Sequence, residues 1–199
     1  AISGDACAVA ADLSREDEIL AMFDVVESNL GPVDILVNCA AFLPSGPLTS
    51  YTKDVWEYTF SVNVTGPFIA TRELVRRLLG AERKGSVVNI ASQAAFLGST
   101  SGHLPYDSSK GALVSMTRAI AREVAPKGIR LNAVAPGMVM TEMVAKIWEE
   151  RKDRYLAKIP LNRIAEPEEI ANVVVFLASD ASSYMTGTTL DLTGGMMMR

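Results

Sequence analysis

The chain has 199 residues, 49% of them hydrophobic and 21% charged, with a formal net charge of −4. This is the composition of one globular domain with a buried core, and it excludes a disordered chain. The acidic balance argues against a nucleic-acid partner, and the longest apolar runs fall far short of a membrane span.

In chain order, residues 6–11 form a small apolar run that reads as a strand. Residues 15–29 predict a helix, with Ser14 as N-cap and Glu16, Asp17 and Glu18 in the first turn. A strand over 34–38 is followed by a long helix over 52–79. A strand over 86–90 and a helix over 106–124 come next. A strand over 130–134, a helix over 167–177 opening with Pro167, Glu168 and Glu169, and a strand over 188–191 complete the chain. Several strands are almost continuously apolar, as strands buried on both faces of a parallel sheet are. The alternation predicts an α/β, doubly wound (Rossmann-like) parallel sheet in a single domain over residues 1–199.

Two helices lack a polar face. The stretch 106–124 carries Leu113, Val114, Met116, Ile120 and Val124 among several alanines, and the stretch from Trp56 to Leu79 is similar. Such helices are covered on both sides, so a homo-oligomer, dimer or tetramer, is expected. Cover by another part of the same chain is the alternative. The two cysteines, Cys7 and Cys39, and the single histidine, His103, make no metal-binding cluster. Both cysteines read as reduced, buried residues of a cytoplasmic protein.

Tyr106 and Lys110 stand four residues apart on a predicted helix, which places their side-chain roots about 6 Å apart on one face. An ammonium beside a phenol favours the phenolate and tunes it for proton transfer to or from an alcohol. Ser92, at the end of the strand 86–90, can hold a substrate oxygen whose charge changes. Asn63 sits inside an otherwise apolar helix, where it either serves this chemistry or pins the helix to neighbouring backbone.

Together with Asn38-Cys39-Ala40-Ala41 and the strand that breaks at Pro136-Gly137 before Thr141, these residues resemble the short-chain dehydrogenase/reductase family. The resemblance covers nearly the whole chain. It implies an NAD(P)-dependent oxidoreductase that moves hydride between a nicotinamide and a secondary alcohol or ketone. Tyr106 is then the catalytic acid/base, and Lys110 lowers its pKa and binds the nicotinamide ribose. Ser92 orients the substrate, and Asn63 holds a relay water. The resemblance further implies cofactor contacts at Asp12, Asn38, Ala40, Pro136, Gly137, Val139 and Thr141, with Asp12 equally readable as a turn residue. The closing Asp191-Leu192-Thr193-Gly194-Gly195 is similar to the family's Asp-Gly-Gly. The cofactor is NAD or NADP, with NAD favoured, and no metal is implied. Segment 138–161 is expected to form a flap over the pocket. Ala91-Ser92-Gln93 is similar to sugar- and polyol-acting members, which favours a small polyhydroxylated substrate.

Two features depart from the family. The Ser92-to-Tyr106 spacing is one residue longer than usual, with Gly98 to Gly102 between; this reads as an insertion in a surface loop with His103 facing solvent, the alternative being a reshaped pocket with His103 and Leu104 near the substrate. The fourteen glycines include no G-x-G-x-x-G or related phosphate-binding turn. The first two strands of the doubly wound order are therefore expected to be absent from this sequence. Residues 6–11 would then be left about 14 Å from their nearest partner strand. An upstream segment, or a rearranged stretch over 1–30, would account for this. The competing function is a non-catalytic binding or regulatory protein on the same scaffold.

Overall fold

The computed structural model describes residues 4–99 and 102–198. Its elements are α1 (Glu16–Leu30), β1 (Ile35–Asn38), α2 (Lys53–Phe60), α3 (Gly66–Gly80), β2 (Gly85–Ile90), α4 (Ala94–Leu97), α5 (Leu104–Val124), β3 (Ile129–Pro136), α6 (Glu142–Leu156), α7 (Pro167–Ala178) and β4 (Thr189–Leu192).

The four strands form one parallel sheet in the order β1-β2-β3-β4. Its centre is buried on both faces because successive residues point opposite ways. Val87 joins Ile19, Phe23, Leu74 and Leu131 in a core under α1, α3 and α5, whereas Val88 joins Val134 and Leu177 under α7. The result is three layers, helix on sheet on helix. Arg77 on α3 ties the outer layer together through Asp24 and Glu27 of α1 and Glu73 of its own helix.

The sheet and its crossover helices agree with the sequence reading, and the differences have local causes. Residues 6–11 form no strand, because no neighbouring strand pairs with them. Helix α1 is nonetheless ordered against α3, so the rearrangement considered for residues 1–30 does not extend to it; Ala1, Ile2 and Ser3 lie outside the described residues. Ser14 does not cap α1. Its backbone N–H closes a turn on the Asp12 carboxylate, and Arg15 takes the cap position without a side-chain bond. At α7, Glu166 and Glu169 form a capping box that spans Pro167, the first helical residue.

The long helix over 52–79 is interrupted. Ser61–Thr65 winds as a π turn between α2 and α3, with Asn63 at its centre. Cys39 is exposed rather than buried, since it follows the edge strand β1, and Cys7 is half-buried. The expected flap contains α6, whose Thr141 caps the Val144 N–H. The side chains of Met143, Ile147, Glu149, Glu150 and Arg151 in that flap lie outside the described residues, as do Thr100 and Ser101.

Candidate active site

All four parallel strands end on one side of the sheet, the edge where ligands of open α/β sheets bind. Asn38 ends β1, Ser92 follows β2 by two residues, and Pro136 ends β3. The loops are strung together by strand-like bonds: Ala91 N–H to the Val134 carbonyl, Gln93 N–H to Pro136, and Gly137 N–H to Leu192. Backbone pairing thus fixes Ser92 and Gly137 relative to one another.

Helix α5 starts at Leu104 with Pro105 next, which suits a first turn whose N–H groups lack partners. That start places Tyr106 in the first turn and Lys110 one turn later. The Tyr106 phenol lies close enough to Ser92 for that side chain to lower its pKa. The Ser92 hydroxyl also accepts the Ala94 N–H at 3.1 Å, which fixes its orientation. Lys110 is buried at 2% exposure, and its Nζ donates to the Ile90 carbonyl at 2.5 Å. The ammonium lies 5.6 Å from the centre of the Tyr106 ring.

The electrostatics differ from the sequence expectation. Burial pushes the Tyr106 phenol above its ordinary value, outweighing the lowering effect of Ser92. Burial also lowers Lys110 to about 8. The ammonium is committed to a backbone carbonyl rather than to the phenol oxygen, so it does not overcome the loss of solvent around the ring.

Asn63 is 1% exposed, and its side chain is fully used. Its Oδ1 accepts the Phe42 N–H at 2.7 Å, and its Nδ2 donates to the Phe42 carbonyl and to Ser109 Oγ, both at 2.9 Å. Ser109 in turn donates to the Tyr106 carbonyl at 2.7 Å. Of the two roles open to Asn63, the side chain performs the structural one. It joins the loop after β1 to α5 and, through Ser109, to the Tyr106 backbone carbonyl.

The remaining candidates divide. Asn38 spends its amide on Asn89 Oδ1 and Thr71 Oγ1, so it braces the end of β1, with Ala40 exposed beyond it. Pro136, Gly137 and Val139 lie along one loop, where Val139 bridges to Ala165 and Met138 accepts the Ala165 N–H. Thr141 caps α6. Asp12 stands apart, in a turn ahead of α1, next to Leu13, whose carbonyl lies against Gly66 at the start of α3. Sequence reasoning missed Ser109, although its place three residues after Tyr106 on one helix was a usable signal. Gln93, read from sequence as part of a polyol-type Ala91-Ser92-Gln93, has its Oε1 buried without a partner beside Gly137.

A family profile described as Enoyl-(Acyl carrier protein) reductase matches residues 1–197. The 3-oxoacyl-(acyl-carrier-protein) reductase of Aquifex aeolicus is 38% identical over 185 residues, covering 93% of this chain and 74% of that protein. A short-chain type dehydrogenase/reductase from Mycobacterium marinum superposes with a TM-score of 0.93 at 31% identity, covering 99% of this chain and 78% of the other. The chain belongs to the short-chain dehydrogenase/reductase family. It is homologous to the family's NAD(P)-dependent oxidoreductases. A 4-hydroxyisoleucine dehydrogenase complexed with NADH matches at a TM-score of 0.90 and 28% identity, over 95% of this chain and 78% of that one. An Agrobacterium tumefaciens relative at 30% identity and a TM-score of 0.88, over 96% of this chain and 76% of its own, carries bound NADP.

The donor set suits the nicotinamide end of such a cofactor. Lys110 is a buried three-donor group given one hydrogen-bond acceptor among the described residues, and backbone bonds fix the Gly137 loop at the end of β3. For the pyrophosphate, the described residues offer no glycine-rich strand-to-helix turn.

Proposed function

We propose that this protein interconverts a secondary alcohol and a ketone, with Tyr106 as the acid/base. The observation that carries this reading is the half-buried Tyr106 phenol beside Ser92, backed one turn later by the buried Lys110 ammonium 5.6 Å from its ring. A nicotinamide, NAD or NADP, supplies or takes the hydride. Ser92 donates to the substrate oxygen and holds it at the phenol. In the reducing direction Tyr106 gives its proton to that oxygen. A phenol raised by burial stays protonated through neutral pH, which suits this acid role. The Lys110 ammonium stabilises the phenolate left behind, and its N–H groups not used by Ile90 serve the cofactor ribose. Pro136, Gly137, Val139 and Thr141 line the nicotinamide side, and Asn38 and Ala40 lie against the cofactor at the end of β1.

The substrate is a small molecule. Gln93, next to Ser92, has its Oε1 buried beside Gly137 without a hydrogen-bond partner. The same reading includes a homo-oligomer. On α5 the face opposite the core, with Ala112, Met116 and Ala119, is half-buried or exposed, and Phe68 and Leu79 of α3 are exposed at 41% and 45%. It also includes a cytoplasmic setting, supported by the two unpaired cysteines. No helix among the described residues is long and apolar enough to cross a membrane.

The test is Tyr106→Phe, assayed by NADH and NADPH consumption with ketones and by thermal unfolding. The variant is expected to keep its melting temperature and lose on the order of 10²–10⁴ in turnover. Full activity would remove Tyr106 from the chemistry.

A further inference from the structure

Gly102 and His103, just ahead of α5, are tied to the loop that follows β1. The Gly102 carbonyl accepts both the Gly46 N–H at 2.9 Å and the Tyr51 hydroxyl at 2.6 Å. His103 Nδ1 lies 3.1 Å from the Pro44 carbonyl, which the Tyr51 hydroxyl also reaches at 3.3 Å. A carbonyl only accepts, so Nδ1 carries the proton. Gly102 has φ +76°, and a Cβ there would stand 2.4 Å from the Gly46 carbonyl oxygen, so only glycine fits the crossing. The tie continues toward the site. His103 N–H donates to Ser99 Oγ, and Ser99 N–H donates to the carboxylate of Asp107, the residue after Tyr106.

The first loop leaves the C-terminal end of β1 at Asn38, and the second follows the adjacent strand β2 by way of Ser92 and α4. The first loop is already held near its root at Phe42 by Asn63. The contacts at Pro44 and Gly46 therefore hold this loop a second time, to the residues just ahead of α5.

We propose that this bridge between the two loops, held by Tyr51, Gly102 and His103, sets substrate size. It fixes how far the two loops can part above Ser92 and Tyr106, and so limits the bulk carried on one side of the reacting carbon. Tyr51 and His103 are positioning residues, acting through the loop backbones. The inference rests on the ketone-reducing role above and adds a specificity device to it.

The test compares kcat and KM for the wild type, Tyr51→Phe, His103→Ala and His103→Gln across methyl ketones of increasing chain length, with NADH and NADPH. Tyr51→Phe and His103→Ala are each expected to raise the long-to-short ratio of kcat/KM about three- to ten-fold, the size of one lost hydrogen bond. The gain should come through KM for the longer ketones, with kcat on the shortest unchanged. His103→Gln, which can still donate to Pro44, should restore the wild-type ratio. An unchanged ratio in both loosened variants, with the wild type active, overturns the bridge and leaves the catalytic reading intact. Loss of kcat on every ketone in a folded Tyr51→Phe overturns it as well, by making the contact catalytic. A wild type inactive on all ketones, with either cofactor, overturns the functional reading and the bridge with it. If Tyr51→Phe does not fold, the His103 pair decides.

Discussion

Removing the Asn63 side chain tests whether the site is assembled by a buried amide. In Asn63→Ala the Phe42 N–H loses its acceptor, and the Phe42 carbonyl loses its donor. Ser109 also loses a donor, but keeps its own bond to the Tyr106 carbonyl. An unsatisfied buried backbone group costs about 1–3 kcal/mol. Phe42 as a residue is 37% exposed, so water can reach part of its backbone and the lower half of that range applies. Two such groups give a loss of about 2–4 kcal/mol, equivalent to a fall in Tm of about 5–15 °C for a chain of this size. The assay is thermal and urea unfolding beside kcat and KM. Both stability and turnover should fall, because the loop after β1 and the first turn of α5 are released together. Lost turnover with an unchanged Tm would refute the argument, since it would place the amide in the chemistry rather than in the framework. A variant unchanged in both would remove the network from the account.

Lys110 carries a burial cost, because its folded pKa of about 8 lies below the ordinary 10.5. The folded state then binds fewer protons than the unfolded state between those values, so this group's penalty is full below about pH 8 and fades toward 10.5. Lys110→Met should therefore unfold at higher urea than the wild type at pH 7, while turnover collapses; a variant less stable at pH 7 would refute the burial argument. Glu73 is the opposite case. Hydrogen bonds from Arg76 and Arg77 hold it at about 2 against an ordinary 4.5. Its contribution is present above pH 4.5 and is lost as pH falls toward 2. Glu73→Gln should lose about 2 kcal/mol at neutral pH and show a flatter acid limb in urea titrations, the estimate being reduced because Arg76 is largely exposed. At Gly66 a Cβ would stand 2.5 Å from the Leu13 carbonyl oxygen, so Gly66→Ala should destabilise by about 1–3 kcal/mol in a thermal melt. An unchanged melt would mean that the turn at Leu13 yields freely.

The central strands β2 and β3 were legible because their burial on both faces is written as apolar runs, and Pro136-Gly137 marks where β3 stops. Tyr106 and Lys110 were legible because helical spacing is a local property. What Asn63 does was not, because its partner lies 21 residues away and the bond depends on how two segments meet. The direction of the Tyr106 shift escaped for the same reason, since spacing gives the neighbour but not the solvent lost around the ring. The π turn was hidden in a pattern that reads as one continuous helix. Helix α6, dense in charge around residues 149–153, resembled a surface flap more than an ordered element.

The π turn at 61–65 makes this stretch sensitive to length rather than to chemistry. A widened turn holds one residue more than its α-helical neighbours need, and each residue advances a helix by about 100°. Deleting any one residue there would let the helix wind regularly through the junction, with every side chain on its original side of the cut still suited to a helix. The two halves would nevertheless be out of phase by that angle, and no single position could then face both Phe42 and Ser109. Point substitutions in this segment can be repaired by repacking, but a change of count cannot, so the number of residues between α2 and α3 is itself part of the site.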